Sequence, residues 1–178
     1  MRLPFTRAHD VPADVIARAV LPRGEKVLAS ARSTDGTWLL GSRTALHIVP
    51  PSSVEPVETT AIPWERVETA DWDREGERLR VIEVGEFGRI RPVHVFEVPQ
   101  AALLLTMVRE RVTASVVMQR RVVVSGRKGL FVVARRSPTG AGDIGWAFEY
   151  DAGVDPADPE VSRLAETALR TAAEELGL

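Results

Sequence analysis

The stretch Ala61 to Asp73, AIPWERVETADWD, carries two of the chain's four tryptophans, Trp64 and Trp72, in a segment rich in charge. It runs on into DREGE, a turn signal, and then RLRVIEV, a strand signal. A four-residue turn over Arg74–Glu77 makes Asp73 face Arg78. That register puts Trp72 opposite Leu79 and Ala70 opposite Val81 on one face, and Asp71 opposite Arg80 on the other. Apolar pairs then line one side and opposite charges the other, each pair contributing about 0.2–1 kcal/mol. Trp72 is therefore expected in the core. Pro63 favours a bend or strand edge at Trp64, which is read as a plug at the core edge, with an exposed ligand platform as the alternative.

Upstream, residues 26–50, KVLASARSTDGTWLLGSRTALHIVP, read as three strands divided by STDG and GSRT. VPADVIARAV (11–20) predicts a short docking helix, with Pro12 in its first turn and Val15, Ile16, Ala19 and Val20 on one face. PSSVEPVETT (51–60) has two prolines and no apolar periodicity, and predicts an exposed loop. Downstream, a turn over GEFGRIRP (85–92) leads to the strand VHVFEV. PQAALLLTMVRERV then predicts a helix burying Ala101, Leu104, Leu105, Val108 and Val112. RRVVVSGRKGLFVVARRS (120–137) is a strand pair around SGRKG, and IGWAFEYDAG (144–153) a third strand. The final segment is a well-marked helix: Asp158 caps it, Pro159 sits in its first turn and Gly177 stops it. Its stripe runs through Val161, Leu164, Ala165, Ala168, Leu169, Ala172, Ala173 and Leu176, narrow enough for close packing on a sheet.

A short N-terminal helix, GE opening the first strand, GSRTALHIV as a middle strand, IPWERVETADW after a loop, further strands and a closing amphipathic helix together resemble the bacterial pleckstrin-homology-like domains over residues 10–115. The resemblance implies an antiparallel β-barrel or sandwich with a capping helix, and IPW must supply a short strand to complete seven. The whole chain also resembles an actinobacterial protein type, and 21 arginines against 2 lysines agree with a GC-rich bacterial source. The expected class is α+β. A pleckstrin-homology-like domain with its short N-terminal helix spans 1–117. A three-stranded antiparallel sheet and C-terminal helix, 118–178, pack on it.

At 178 residues and 44% hydrophobic the chain can build a proper core. No apolar run approaches the roughly 20 residues of a membrane helix, so no transmembrane span is expected. MRLPFTRAHDVP lacks the features of a secretory signal, which points to the cytoplasm. The absence of cysteine excludes disulfides and thiolate chemistry. His9, His47 and His94 are widely separated and fit no local ligand spacing, so neither metal nor cofactor is expected. Among carboxylate pairs, Asp71 and Asp73 are taken by the cross-strand arginines, and Asp151 and Asp155 flank a helix start, where aspartates complement the dipole. GRKG and TGAGD lack the spacing of a phosphate loop. The chain is accordingly expected to be no enzyme.

Charge is segregated. Residues 51–77 hold eight acids and two arginines, 109–136 eight basic residues against Glu110, and 141–178 nine acids against Arg163 and Arg170. The basic hairpin, with Arg120, Arg121, Arg127, Lys128, Arg135 and Arg136, is the strongest candidate site: a surface for a polyanion, or solvated strand ends neutralised by the flanking acids. Helix, three strands and helix over 99–178 is the element order of double-stranded-RNA-binding domains. The matching helix here begins DPADPE, where that family places lysines on phosphate. Lipid-binding pleckstrin-homology domains use a basic cluster around the first two strands, and Lys26 and Arg32 with Asp35 between the strands match it poorly. The expected function is a non-catalytic binding module acting on a protein partner, with Trp64 and the six basic residues as candidate contacts. RNA binding by the hairpin 119–136 is the alternative, and a lipid headgroup is not expected.

Overall fold

Short β-rich runs separated by polar turns produce the first sheet: β1 (Ala29–Arg32), β2 (Trp38–Gly41), β3 (Ala45–Val49) and β4 (Thr60–Pro63), an antiparallel meander in that order. A computed structural model describes residues 11–53, 58–85 and 91–178. The leader reading at the N-terminus, His9, the centre of the 51–60 loop and most of the 85–92 turn lie outside the described residues. The chain divides into two compact units, Met1–Ser115 with Ser137–Ala141, and Val116–Arg136 with Gly142–Leu178. The class is α+β, with antiparallel sheets and a C-terminal helix.

In the first unit, TAIP supplies the fourth strand and a single 3-10 turn, Trp64–Arg66, follows it. A second sheet comprises β5 (Val67–Asp73), β6 (Arg78–Glu83) and β7 (Val93–Glu97), in order β5-β6-β7. The β5–β6 register is the one read from the sequence: Ala70 faces Val81, Asp71 faces Arg80, Trp72 faces Leu79 and Asp73 faces Arg78, with an irregularity at Val67/Thr69. Helix α1 (Ala13–Arg18) lies on one face of the first sheet, where Val11, Val15 and Ala19 pack on Leu40 and Val49. Helix α2 (Ala102–Ser115) buries Leu104, Met107 and Val108 in a core shared with Leu39, Leu46 and Ile48 of one sheet and Leu79 and Val81 of the other. Close approach is possible because β2 ends in Gly41: a Cβ there would stand 2.8 Å from Met107 Sδ.

Two expectations are corrected. Trp64 is fully buried at 0% exposure, while Trp72 is only partly buried at the margin of the same core. Pro63 ends β4, and the 3-10 turn that follows swings the next side chain inward, so the proline bend makes Trp64 central rather than peripheral. Trp72 has the predicted facing, but it stands near the end of β5, where the core thins. Val20 is the second correction. It does not share the apolar face of α1, which ends at Arg18; it is 79% exposed, with φ of 49°, and Ile16 is exposed as well, so the face reduces to Val15 and Ala19.

In the second unit, β8 (Val116–Ser125) begins directly where α2 stops and pairs with β9 (Lys128–Arg135), which pairs with β10 (Gly145–Tyr150). Helix α3 (Pro159–Glu175) packs Val161, Ala165 and Ala172 against Leu130 and Val132, with Met118, Val122, Trp146, Phe148 and Tyr150 around them. Asp158 caps it, accepting from the N–H groups of Glu160 at 2.8 Å and Val161 at 3.4 Å. Among the described residues, no helix is long and apolar enough to cross a membrane.

Burial orders the tryptophans by cost. Trp64→Ala should lose about 3–5 kcal/mol, as for emptying an aromatic core site, and Trp72→Ala clearly less, about 1–2 kcal/mol for its smaller buried area. Urea unfolding measures both, and equal losses would contradict this core. A β-branched residue at positive φ is strained, so Val20→Gly should raise stability by about 1 kcal/mol; an unchanged or lower midpoint would show that the strain is absent.

Candidate functional site

The basic hairpin does not gather its charges on one surface. Side chains alternate along β8, so Arg120 points to the α3 side, where it pairs with Glu175, and Arg121 to the opposite side. Arg121 is held by three bonds: Nη2 donates to Asp151 Oδ2 at 2.6 Å and to the Arg127 carbonyl at 2.9 Å, and Nη1 donates to Asp151 Oδ1 at 3.3 Å. Its guanidinium also stacks 4.8 Å from the centre of the Phe131 ring. Hydrogen bonds from Arg121, then from the Gly129 N–H, hold the Asp151 carboxyl below its ordinary value. Arg135 is buried, with Nη2 3.5 Å from Glu149.

Arg127 and Lys128 are exposed at the turn, and the Lys128 ammonium lies over Gly153. Eight residues of β9 run from Lys128 to Arg135, so the turn pair and the Arg135–Arg136 pair stand about 20 Å apart. Arg120, Arg121 and Arg135 each meet a carboxylate of the acidic 141–178 segment. Trp64, the other candidate contact, offers no surface: it is sealed in the core, its indole N–H donating to the Ser42 carbonyl at 3.0 Å.

A groove lies instead between α2 and the second sheet. Ala70 and Trp72 of β5, Leu79 of β6, and Leu105, Val108, Arg109, Val112 and Thr113 of α2 line a cavity of about 340 Å³. Its walls are apolar apart from Arg109 and Thr113, both exposed. Arg109 makes no ion pair among the described residues. Sequence reading missed this site because it treated Trp72 as wholly interior. The available signal was the α2 stripe, which continues through Val112 beyond what the core covers.

The one serine–histidine pair in contact among these residues has a structural setting. His47 Nε2 lies 3.2 Å from Ser42 Oγ, yet Ser42 is fully buried, and its hydroxyl also receives the N–H of Ala45 at 3.2 Å and faces the Ala45 carbonyl at 3.3 Å. Such a hydroxyl has no path to a substrate. Burial pushes the His47 imidazole down from its ordinary value; the Ala19 carbonyl and the Glu25 charge oppose that shift in part. Asp71 and Asp73 stand within 4.0 Å of Arg80 and 3.8 Å of Arg78, and Asp155 accepts the Ala157 N–H at 2.9 Å. Among the described residues, no three of the histidine and carboxylate side chains converge as a metal site would require.

No family model, curated protein or solved structure matches the chain.

The His47 burial has a pH signature. Because its folded pKa lies below the unfolded one, the unfolded chain takes up the proton first as pH falls. The stability contributed by neutral His47 is complete above the ordinary value of 6.5 and is lost as pH drops through 6.5 toward the folded pKa. Urea midpoints between pH 7.5 and pH 5 should therefore fall, by up to about 1 kcal/mol per pH unit, and His47→Gln should flatten that slope. A slope unaltered by the substitution would place the titration elsewhere.

Proposed function

We propose that the chain is a non-catalytic interaction module, built on a pleckstrin-homology-like domain over residues 10–115, which acts in the cytoplasm by contact with a protein partner. The resemblance implies seven antiparallel strands and a closing helix, and the first unit has four strands in one sheet, three in a second, and α2 after them. The observation that carries the functional reading is the groove beside Trp72. Its apolar walls, with one aromatic side chain and one arginine at the surface, have the composition of a protein-binding patch.

RNA binding by the hairpin 119–136 is the second reading. It would rest on Arg127, Lys128 and Arg136, since Arg120, Arg121 and Arg135 already face carboxylates. Charge so divided favours weak, sequence-indifferent association.

Affinity capture of the full chain with and without nuclease, beside RNA titration at two salt concentrations, separates the readings. A protein partner that survives nuclease, with weak RNA binding, is the expected result. Tight RNA binding that falls steeply with salt and disappears in the Arg127→Glu/Lys128→Glu double variant would establish the RNA reading instead.

A further inference from the structure

We propose that the groove beside Trp72 receives an extended peptide, which adds as a fourth strand along the outer edge of β5, sets an apolar side chain against Leu105 and Val112, and places a carboxylate on Arg109. The inference rests on the reading of the chain as a protein-binding module and names the chemistry of its partner.

The strand edge supplies the first argument. β5 is an outer strand whose inner edge is taken by β6. The Val67 N–H donates to the Trp64 carbonyl, but from Thr69 to Asp73 no further backbone–backbone hydrogen bond is made among the described residues. An unpaired row of N–H and C=O groups is a template for another chain. The irregularity at Val67/Thr69 interrupts only the start of the strand, and pairing from Thr69 to Asp73 is regular.

Side-chain periodicity supplies the second. Ala70 and Trp72 face the groove together. A strand laid beside them would turn every second side chain to the same face, toward α2. About 340 Å³ lies at the low end for small-molecule pockets and suits one or two side chains.

Charge chooses the occupant. Among the described residues Arg109 is the sole charged one lining the groove, is exposed, and holds no carboxylate, so an acidic side chain or chain terminus there gains a charge-assisted hydrogen bond. A second copy pairing through its own β5 would bring Asp71 and Asp73 against the same acids, an arrangement that like-charge repulsion disfavours. A fatty acid could fill the apolar walls and reach Arg109, but it would leave the strand edge unpaired.

The test pans the full chain against a displayed library of random peptides. Enriched peptides should share an apolar and an acidic residue at fixed spacing, and their binding should shift amide resonances of Val67–Asp73. Arg109→Ala should weaken them about tenfold or more, the value of one charged hydrogen bond, without changing the thermal midpoint. Leu105→Arg should abolish binding. Failure to enrich any peptide, peptides indifferent to both substitutions, dimerisation through β5, or saturable oleate binding that no peptide displaces would each overturn the proposal.

A photo-crosslinking residue placed in cells at Thr113, and separately at Val95 on β7, distinguishes this failure from that of the broader reading. Cross-links to protein at Val95 but not Thr113 keep the interaction module and remove the groove. Cross-links at neither, with no peptide selected, remove both.

Discussion

The hydrogen bond from the Trp64 indole to the Ser42 carbonyl is the constraint on which the first unit depends. It joins the turn between β2 and β3 to the 3-10 turn between β4 and β5, and its donor is the largest fully buried side chain among the described residues. A second bond, from the Trp64 N–H to the Thr44 carbonyl at 3.1 Å, fixes the same two turns at backbone level. An indole N–H taken from water without an acceptor costs a few kcal/mol, so the Ser42 carbonyl makes this burial tolerable. Ser42 in turn is held by Ala45 and His47. The point where the chain passes from one sheet to the next is thereby fixed by a continuous polar network inside an apolar shell, and the strands of both sheets take their places around it.

Much of this was legible in the sequence because it rests on local rules. The β5–β6 register followed from one turn and the demand that apolar residues share a face, and each cross-strand pair is where that logic put it. Asp158, Pro159 and Gly177 marked the bounds of α3 through capping chemistry alone. The tryptophans were harder, because depth is a property of the assembled core. Alternation along β5 gives the side to which Trp72 points but not how many atoms lie beyond it. Pro63 announces a bend, and the direction of that bend depends on a carbonyl 22 residues upstream. The groove was hidden for the same reason: its walls come from two strands and a helix distant in sequence, each of which reads as ordinary core when taken alone.

The basic hairpin shows what a charge count omits. As a linear run it holds the densest positive charge in the chain, yet strand geometry distributes it over two faces and two ends. The acids that follow it return as neighbours: Asp151 grips Arg121 at two points while also accepting the Gly129 N–H, and Glu149 and Glu175 meet Arg135 and Arg120. Gly129 is indispensable to that geometry, since a Cβ there would fall 2.0 Å from the Val122 carbonyl oxygen. The two more exposed pairs, those of Arg120 and Arg121, contribute little to stability. Their effect is on orientation, because each fixes a long side chain that would otherwise sample the solvent.

Gly41 has a consequence that reaches past the core. α2 rests on β2 with Met107 and Leu104 in the space that a Cβ at position 41 would occupy, 2.8 Å and 3.3 Å away. Cores do not absorb such overlap without movement. A methyl group at 41 must either repack the methionine or lift the helix. The same helix forms one wall of the groove beside Trp72, so its seat on the first sheet sets how far that wall stands from β5. The aperture of the groove is calibrated by a residue without a side chain, on a strand that takes no part in lining it.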